Sequence, residues 1–220
     1  MTITPEMIRQ NEDIRVYIAC ADESMKAMGY TEHSFSHVTR VAEDAKKMLK
    51  AFGADERTQE LAWIAGYMHD IGNVINRVDH AQSGALMTFR ILDKFGMDPR
   101  ETATIVTAIG NHDEHTAYPV NAVAAALILA DKSDVRRSRV RGSDMKDFDI
   151  HDRVNYAVTS SRIDVDAQNK KITLHLTIDD EISSVADYFE IFLGRMLLCR
   201  KAAAKLGAQF SLFINGQMLM

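Results

Sequence analysis

The stretch AWIAGYMHD, residues 62–70, is the most informative part of the sequence for the fold. A largely apolar helix, which must be buried in a core, ends here in a histidine and an aspartate side by side. A carboxylate buried in such surroundings is costly unless a partner balances its charge. A divalent cation would satisfy both side chains at once, since histidine nitrogen and aspartate oxygen both bind such ions. The alternative is an ordinary helix end, with His69 near the negative end of the helix dipole and Asp70 in the turn.

A second carboxylate follows an even more apolar run. Asp131 comes directly after AVAAALILA, residues 122–130, which are nine consecutive apolar residues. We therefore expect its side chain to lie in or beside the core, where it needs a strong compensating charge. A metal ion would supply that charge, and pairing with Lys132 or Arg136 is the alternative.

Length and composition indicate an ordinary globular protein. The 220 residues suit one sizeable domain, or one domain with a small appendix. A formal charge of -5 argues against a protein that coats nucleic acid or an anionic membrane. Cys20 and Cys199 lie far apart and fit free thiols in a reducing compartment. Because the sequence shows neither a signal-peptide pattern nor a long apolar run, we expect a cytoplasmic location.

Hydrophobic periodicity predicts a mainly α protein with a small C-terminal α+β appendage. Helices are indicated over residues 5–28, 34–53, 55–69, 81–95, 99–111 and 120–139. Beyond residue 159 apolar and polar residues alternate, which predicts a hairpin, then a helix that ends before Gly207 and a third strand over 209–214. We therefore divide the chain into a helical domain, 1–159, and an appendage of hairpin, helix and strand, 160–220. Nothing in the appendage looks catalytic.

The chain resembles the HD superfamily of metal-dependent phosphohydrolases in the order, spacing and neighbours of its histidines and aspartates. The family pattern is a helix-borne histidine, then His-Asp, then a distant aspartate on a later helix. Here these residues are His37 in SHVTRV (36–41), His69-Asp70 in MHDIGN (68–73) and Asp131 in LADKS (129–133). The resemblance covers about residues 34–141 and implies an HD-domain helical bundle that binds metal at these four positions.

Two further histidines extend the resemblance to a binuclear site. His80 and His112 fall where some family branches, such as the bacterial diadenosine tetraphosphate hydrolases, place ligands for a second metal. The implied ligands of two divalent ions are His37, His69, Asp70, His80, His112 and Asp131, with Asp70 bridging and with Fe, Mn, Ni, Co, Zn and Mg all open. Taken singly, His80 or His112 is more typical of a surface or hydrogen-bonded residue.

Three further histidine and aspartate residues lie close in sequence to the implied metal ligands. Asp113 and His115 lie close to His112 and could replace it or support it from behind. His33 stands four residues before His37 and could share a helix face with it, but we expect it at a solvated helix start.

Substrate contacts are predicted beside the ligands. A basic run from Lys132 to Arg141 begins next to Asp131. In an acidic protein, Arg136 is the best candidate to bind a substrate phosphate, with Lys132 next. A solvated helix face is the ordinary alternative for such a run. Asn73 stands where many family members carry lysine, so it can donate a neutral hydrogen bond to a phosphate but supplies no charge.

The resemblance implies hydrolysis of a phosphoester or phosphoanhydride in a small phosphorylated molecule, most plausibly a nucleotide. Metal-activated water is the expected nucleophile, with Asp70 as the catalytic bridging residue. Two other interpretations stay open: a di-iron HD-fold oxygenase with a similar ligand series, and a regulatory HD module without turnover. Assembly into a homo-oligomer also stays open.

Overall fold

The computed structural model describes residues 2–114, 116–142 and 148–220. Its architecture is mainly helical with a small C-terminal sheet, which confirms the predicted fold class. The helices are α1 Pro5–Gln10, α2 Glu12–Ala27, α3 Phe35–Ala51, α4 Glu56–Met68, α5 His80–Lys94, α6 Pro99–Gly110, α7 Ala122–Ser133, α8 Ile150–Ala157 and α9 Val185–Lys205. The strands are β1 Val158–Asp166, β2 Lys171–Ile178, β3 Gln209–Ile214 and β4 Gln217–Met218. None of the described helices combines the length and apolar character needed to cross a bilayer.

Helix α7 lies at the centre of the fold. Every residue from Val123 to Ala130 is buried, so this helix meets protein on all sides, as its uninterrupted apolar run requires. Helices α3 and α4 pack against each other and against α7. One hydrophobic cluster runs from Ile8 in α1 to Ile214 in β3. The appendage therefore contributes to the same core, and its separation as a domain at residue 159 stays a prediction.

Two of the predicted helices are wrong in extent. The chain forms two helices over 5–28 because Asn11 is extended, with φ −69° and ψ 123°, and its side chain accepts a hydrogen bond from the amide of Ile14. Such a capping side chain competes with continuation of the preceding helix. Helix α7 ends at Ser133, since Asp134 leaves helical geometry with φ −84° and ψ 67°. The basic run after Lys132 therefore does not form one helical face.

The C-terminal sheet has the strand order β1-β2-β3-β4. Strands β1 and β2 form the predicted antiparallel hairpin, whereas β2 and β3 are parallel, with Lys171 opposite Gln209 and Leu176 opposite Ile214. A parallel pair needs a crossover connection, and α9 supplies it. Since α9 packs against both α7 and β3, it joins the sheet to the helical core. The short strand β4 was not predicted.

Two close backbone approaches position the His-Asp segment. A Cβ on Gly66 in α4 would come within 2.7 Å of the Ala42 Cα in α3. After α4, a Cβ on Gly72 would lie 2.0 Å from the His80 carbonyl oxygen and 2.4 Å from the Gly84 amide nitrogen. Only glycine fits at these two positions, so α3 and α5 lie directly against the segment that ends α4.

We expect Gly66→Ala to lower the free energy of unfolding by about 1–3 kcal/mol, as overpacking of a dense core does. The added methyl group would meet backbone atoms of Ala42, which cannot turn aside as a flexible side chain can. Gly194→Ala in α9 is the matched control, because a Cβ there meets nothing within 4 Å. Alanine should stabilise that helix by up to about 1 kcal/mol. Urea unfolding measures both, and equal stability of the two variants would contradict the close approach of α3 and α4.

Candidate metal centre

The ends of several helices meet at one point and bring all six predicted ligands together. His37 lies in the first turn of α3, His69 and Asp70 follow α4, and His80 begins α5. His112 follows α6, and Asp131 lies in the last turn of α7. The four histidines and Asp70 are buried, and Asp131 is largely so. The structure thus places these residues in one cluster, and their role as metal ligands stays a prediction.

Four of the six form a first group around one point. The Nε2 atom of His37 lies 3.6 Å from Asp70 Oδ2 and 3.4 Å from Asp131 Oδ1. The Nε2 atom of His69 lies 3.2 Å from Asp70 Oδ2 and 3.7 Å from Asp131 Oδ1. Two imidazole nitrogens and two carboxylate oxygens therefore converge, which is a donor set that suits a divalent cation.

A second group uses the other oxygen of Asp70. Asp70 Oδ1 lies 3.5 Å from His80 Nε2 and 3.9 Å from His112 Nε2, and these two nitrogens are 3.2 Å apart. The two oxygens of this one carboxylate thus face two different groups of donors. The guanidinium of Arg77 borders the second group, with its Nη1 3.3 Å from His80 Nε2.

Each of the four histidines is held through its Nδ1 atom, which leaves Nε2 facing the groups. The Nδ1 partners of His37, His69, His80 and His112 are, in that order, Asp134 Oδ2 at 2.8 Å and the carbonyl oxygens of Gly66 at 2.8 Å, Arg77 at 3.1 Å and Ile109 at 2.6 Å. Because a carbonyl oxygen can only accept, the last three Nδ1 atoms are donors. In a neutral imidazole this favours the tautomer in which Nε2 presents a lone pair, as metal-binding histidines require. Although burial acts against it, Asp70 and Asp131 raise the pKa of His69 to about 10, so a metal ion would displace a proton from its Nε2.

The buried charges fit a metal ion. The Nε2 atoms of His37 and His69 are buried without a hydrogen-bond partner among the residues that the structure describes. Burial would raise the pKa of both carboxyls, but His69 beside Asp70 and Lys132 beside Asp131 hold these pKa values well below the usual range. Burial lowers the pKa of His80 and that of His112, so both imidazoles are neutral near pH 7. A cation between the two carboxylates would balance their charge and satisfy the two unpartnered nitrogens.

Comparison with known proteins identifies the family. The sequence pattern of the HD domain matches residues 34–190, which is more than half of the chain. The chain belongs to the HD domain family. This match extends past residue 159, through the hairpin and into α9.

Two relatives of this HD domain illustrate the likeness. An uncharacterized protein of Methanocaldococcus jannaschii is 24% identical over 203 residues, which cover 81% of this chain and 77% of the relative. A crystal structure of a predicted HD superfamily hydrolase from an uncultured Thermotogales bacterium is 28% identical in sequence. That likeness has a TM-score of 0.44 and covers 60% of this chain and 73% of the other.

Asp134 is a member of the site that the sequence did not predict. Its Oδ2 accepts a hydrogen bond from His37 Nδ1, and its Oδ1 lies 3.3 Å from Arg40 Nε and 2.7 Å from Arg136 Nε. Arg139 Nη1 donates to the Asp134 main-chain carbonyl at 2.8 Å. These cations stabilise a fully buried carboxylate whose task is to orient His37. The available signal was an aspartate three residues after Asp131, followed by a run of arginines.

The three predicted phosphate contacts lie in different surroundings. Arg136 donates to Asp134, to Ser138 Oγ at 2.7 Å and to Ser36 Oγ at 3.2 Å, so its guanidinium is already engaged. Asn73 is buried and donates from Nδ2 to Asp70 Oδ1 at 3.0 Å, which orients the shared carboxylate. Neither residue is among those that line the neighbouring cavity in the described parts of the chain. Their contact with a substrate phosphate stays a prediction.

Lys132 lies directly beside the first group. Its Nζ is 2.7 Å from Asp131 Oδ2 and 2.8 Å from Glu114 Oε2. The ion pair that was the alternative explanation for Asp131 is thus present, and Asp131 Oδ1 still faces the histidines. Of the three predicted phosphate contacts, Lys132 is the one that borders the cavity.

A cavity of about 950 Å³ opens from the two groups. Its lining includes Asp70, His80, His112 and Asp131 together with the cationic side chains Arg77, Lys132, Arg139 and Arg195. His33 also borders it, half-buried in the loop before α3, with its ring centroid 5.5 Å from that of His37. The expectation of a solvated helix start for His33 is therefore wrong. Asp113 lines the cavity as well, and His115 lies outside the described residues.

We expect Asp134→Asn to weaken metal binding about 10- to 100-fold, because the charge that orients His37 from behind is lost. Asp164→Asn is the matched control, since Asp164 also sits beside a histidine, with Oδ2 3.4 Å from His175 Nε2 on the partly exposed face of the hairpin. Equilibrium dialysis against Mn²⁺ or Zn²⁺ measures the dissociation constants. An unchanged constant for Asp134→Asn would contradict the role of Asp134.

Proposed function

We propose that this HD domain is a metal-dependent phosphohydrolase that cleaves a phosphoester or phosphoanhydride bond of a nucleotide. The observation that carries the proposal is the sharing of Asp70, whose Oδ2 faces His37 and His69 and whose Oδ1 faces His80 and His112. This arrangement fits two divalent ions side by side, which is a common arrangement in enzymes that cleave phosphate esters. Asp70 would be the bridging, catalytic residue.

The donor atoms favour some ions over others. Imidazole nitrogen suits Zn, Fe, Co, Ni and Mn, whereas Mg prefers oxygen ligands and would be the weakest of the candidates here. In the first group both histidines lie near two carboxylates, whereas the second has only one carboxylate and lies beside the Arg77 guanidinium. Because that cation repels another cation, we expect the second ion to bind more weakly than the first.

When bound, such ions lower the pKa of water towards neutrality and withdraw charge from a phosphoryl group. The chain itself supplies the cations that would hold the phosphate, since Arg77 borders the second group and Lys132 borders the first. Asn73 and Asp134 keep Asp70 and His37 in place from outside the cavity. No nucleophilic side chain is needed in this scheme.

A nucleotide is the proposed substrate because of the size and lining of the cavity. Its volume of about 950 Å³ lies within the range of sites for small molecules and cofactors. Tyr30, with the Arg77 guanidinium carbon 5.9 Å from its ring centroid, gives the lining a flat aromatic surface in addition to the cations. A dinucleoside polyphosphate is one member of this substrate class, so kinship with the diadenosine tetraphosphate hydrolases stays a prediction.

We expect the wild-type chain to hold two divalent ions and His80→Ala to hold about one, because His80 belongs only to the second group. Metal analysis by mass spectrometry after loading with Mn²⁺ and desalting gives the number of ions per chain. His175→Ala, which removes a histidine from the partly exposed face of the hairpin, should leave that number unchanged. Equal ion content in His80→Ala and the wild type would remove His80 from the ligand set.

We expect the Mn²⁺-loaded protein to release phosphate from nucleotides under anaerobic conditions. Asp70→Asn should lower the rate by at least about 100-fold, since it removes the charge that both groups share. A colorimetric phosphate assay across mono-, di- and triphosphates measures the rates. Oxygen uptake by the iron-loaded protein without phosphate release would instead identify an oxygenase. Bound metal without turnover on any of these compounds would identify a regulatory module, and either result would refute the proposal.

A further inference from the structure

Helix α9 of the appendage forms one wall of the cavity. Ile191, Phe192, Gly194 and Arg195 all border it. No pattern in the sequence predicts a part in chemistry for this helix. Because α9 packs against α7, which carries Asp131, a side chain on α9 can face the same space as the metal centre.

Arg195 is held so that part of its guanidinium faces the cavity. Its Nε donates to Glu114 Oε1, and its guanidinium carbon lies 4.4 Å from the ring centroid of the buried Phe192. The terminal Nη1 and Nη2 atoms have no hydrogen-bond partner in the described part of the chain, and the side chain is 25% exposed. A guanidinium fixed at Nε and stacked on a ring presents two free donors in a defined direction, which suits a phosphate or carboxylate.

Arg195 belongs to a chain of ion pairs in which Lys132 and Arg195 face Glu114 and Asp131. Glu114 is shared, since its Oε2 also lies 2.8 Å from Lys132 Nζ, so one carboxylate serves two cations. Burial acts against ionisation of Glu114, but Lys132 and Arg195 hold the pKa of its carboxyl well below the usual value. Lys132 in turn contacts Asp131 Oδ2. Two cationic groups, Lys132 and Arg195, therefore lie along this wall with Glu114 between them.

We infer that Arg195 binds a second anionic group of the substrate, beyond the one that lies at the metal centre. The inference rests on the proposed function, because that function places the first phosphate beside Lys132. The substrate class narrows accordingly to molecules with anionic groups in series, such as nucleoside diphosphates or triphosphates, in preference to phosphomonoesters. Arg195 would act as a specificity residue, whereas Arg136 and Arg40 are engaged by Asp134 outside the cavity.

Isothermal titration of the full-length, metal-loaded and desalted protein with inorganic tripolyphosphate and with orthophosphate tests this. We expect Arg195→Gln to weaken tripolyphosphate binding about tenfold or more and orthophosphate binding less than about twofold, since a lost hydrogen bond to a charged group has this size. Arg195→Lys should restore only part of the affinity, because it keeps the charge but loses the planar fork. The metal content of each variant is measured first, so that loss of an ion is not mistaken for loss of the anion contact.

Arg200→Gln is the matched control, because Arg200 is exposed on the same helix and should leave both titrations unchanged. Gly194→Phe is a second test of the same anion contact. A side chain fits at this position, because a Cβ there meets nothing within 4 Å, and Gly194 borders the cavity next to Arg195. The added ring should crowd tripolyphosphate and spare orthophosphate. No change in Arg195→Gln, or an equal loss for both anions, would overturn the inference and leave Arg195 as a structural ion pair. Absent phosphate release with intact anion selectivity would refute the proposed hydrolysis alone.

Discussion

Asp70 and Asp131 carry negative charge inside a core built from α3, α4 and α7, and the rest of the site follows from that charge. Two carboxylates in low-dielectric surroundings repel each other and lose hydration, so they persist only where positive charge or strong donors face them. Imidazoles from four helix ends face these carboxylates on one side, and Lys132 contacts Asp131 on the other. The apolar run of α7 supplies the packing that holds this arrangement together.

A third carboxylate explains the basic segment that follows α7. Asp134 is buried, and Arg136 and Arg139 after it turn towards it, although the sequence suggested a solvated or substrate-binding face for them. Charge balance is thus built in two layers, an inner one of histidines and an outer one of arginines. The inner layer leaves unpartnered nitrogens at its centre among the described residues, whereas Arg136 and Arg139 of the outer layer donate to Asp134. The inner histidines can therefore accept a ligand, whereas the outer arginines support the site from behind.

The sequence predicts the position of a residue or element where the neighbouring apolar pattern leaves one plausible environment for it. His69-Asp70 after an apolar helix and Asp131 after another predicted where charge would be buried, and the alternating pattern after residue 159 predicted the hairpin. It was insufficient where the outcome depends on the direction in which a side chain points. The predicted helix over 120–139 is too long because Asp134 ends α7, and the Arg136 guanidinium therefore points to Asp134. The place of Arg195 on the cavity wall depends on how α9 crosses α7, which no local pattern encodes.

The contact between Gly72 and Gly84 has a consequence for how the spacing of the site is set. The main chain after α4 touches the main chain of α5 without a side chain between them. The spacing between the main chains that carry Asp70 and His80 is therefore set by two peptide backbones in close contact. Rotamer changes elsewhere in the core can alter packing without altering this dimension.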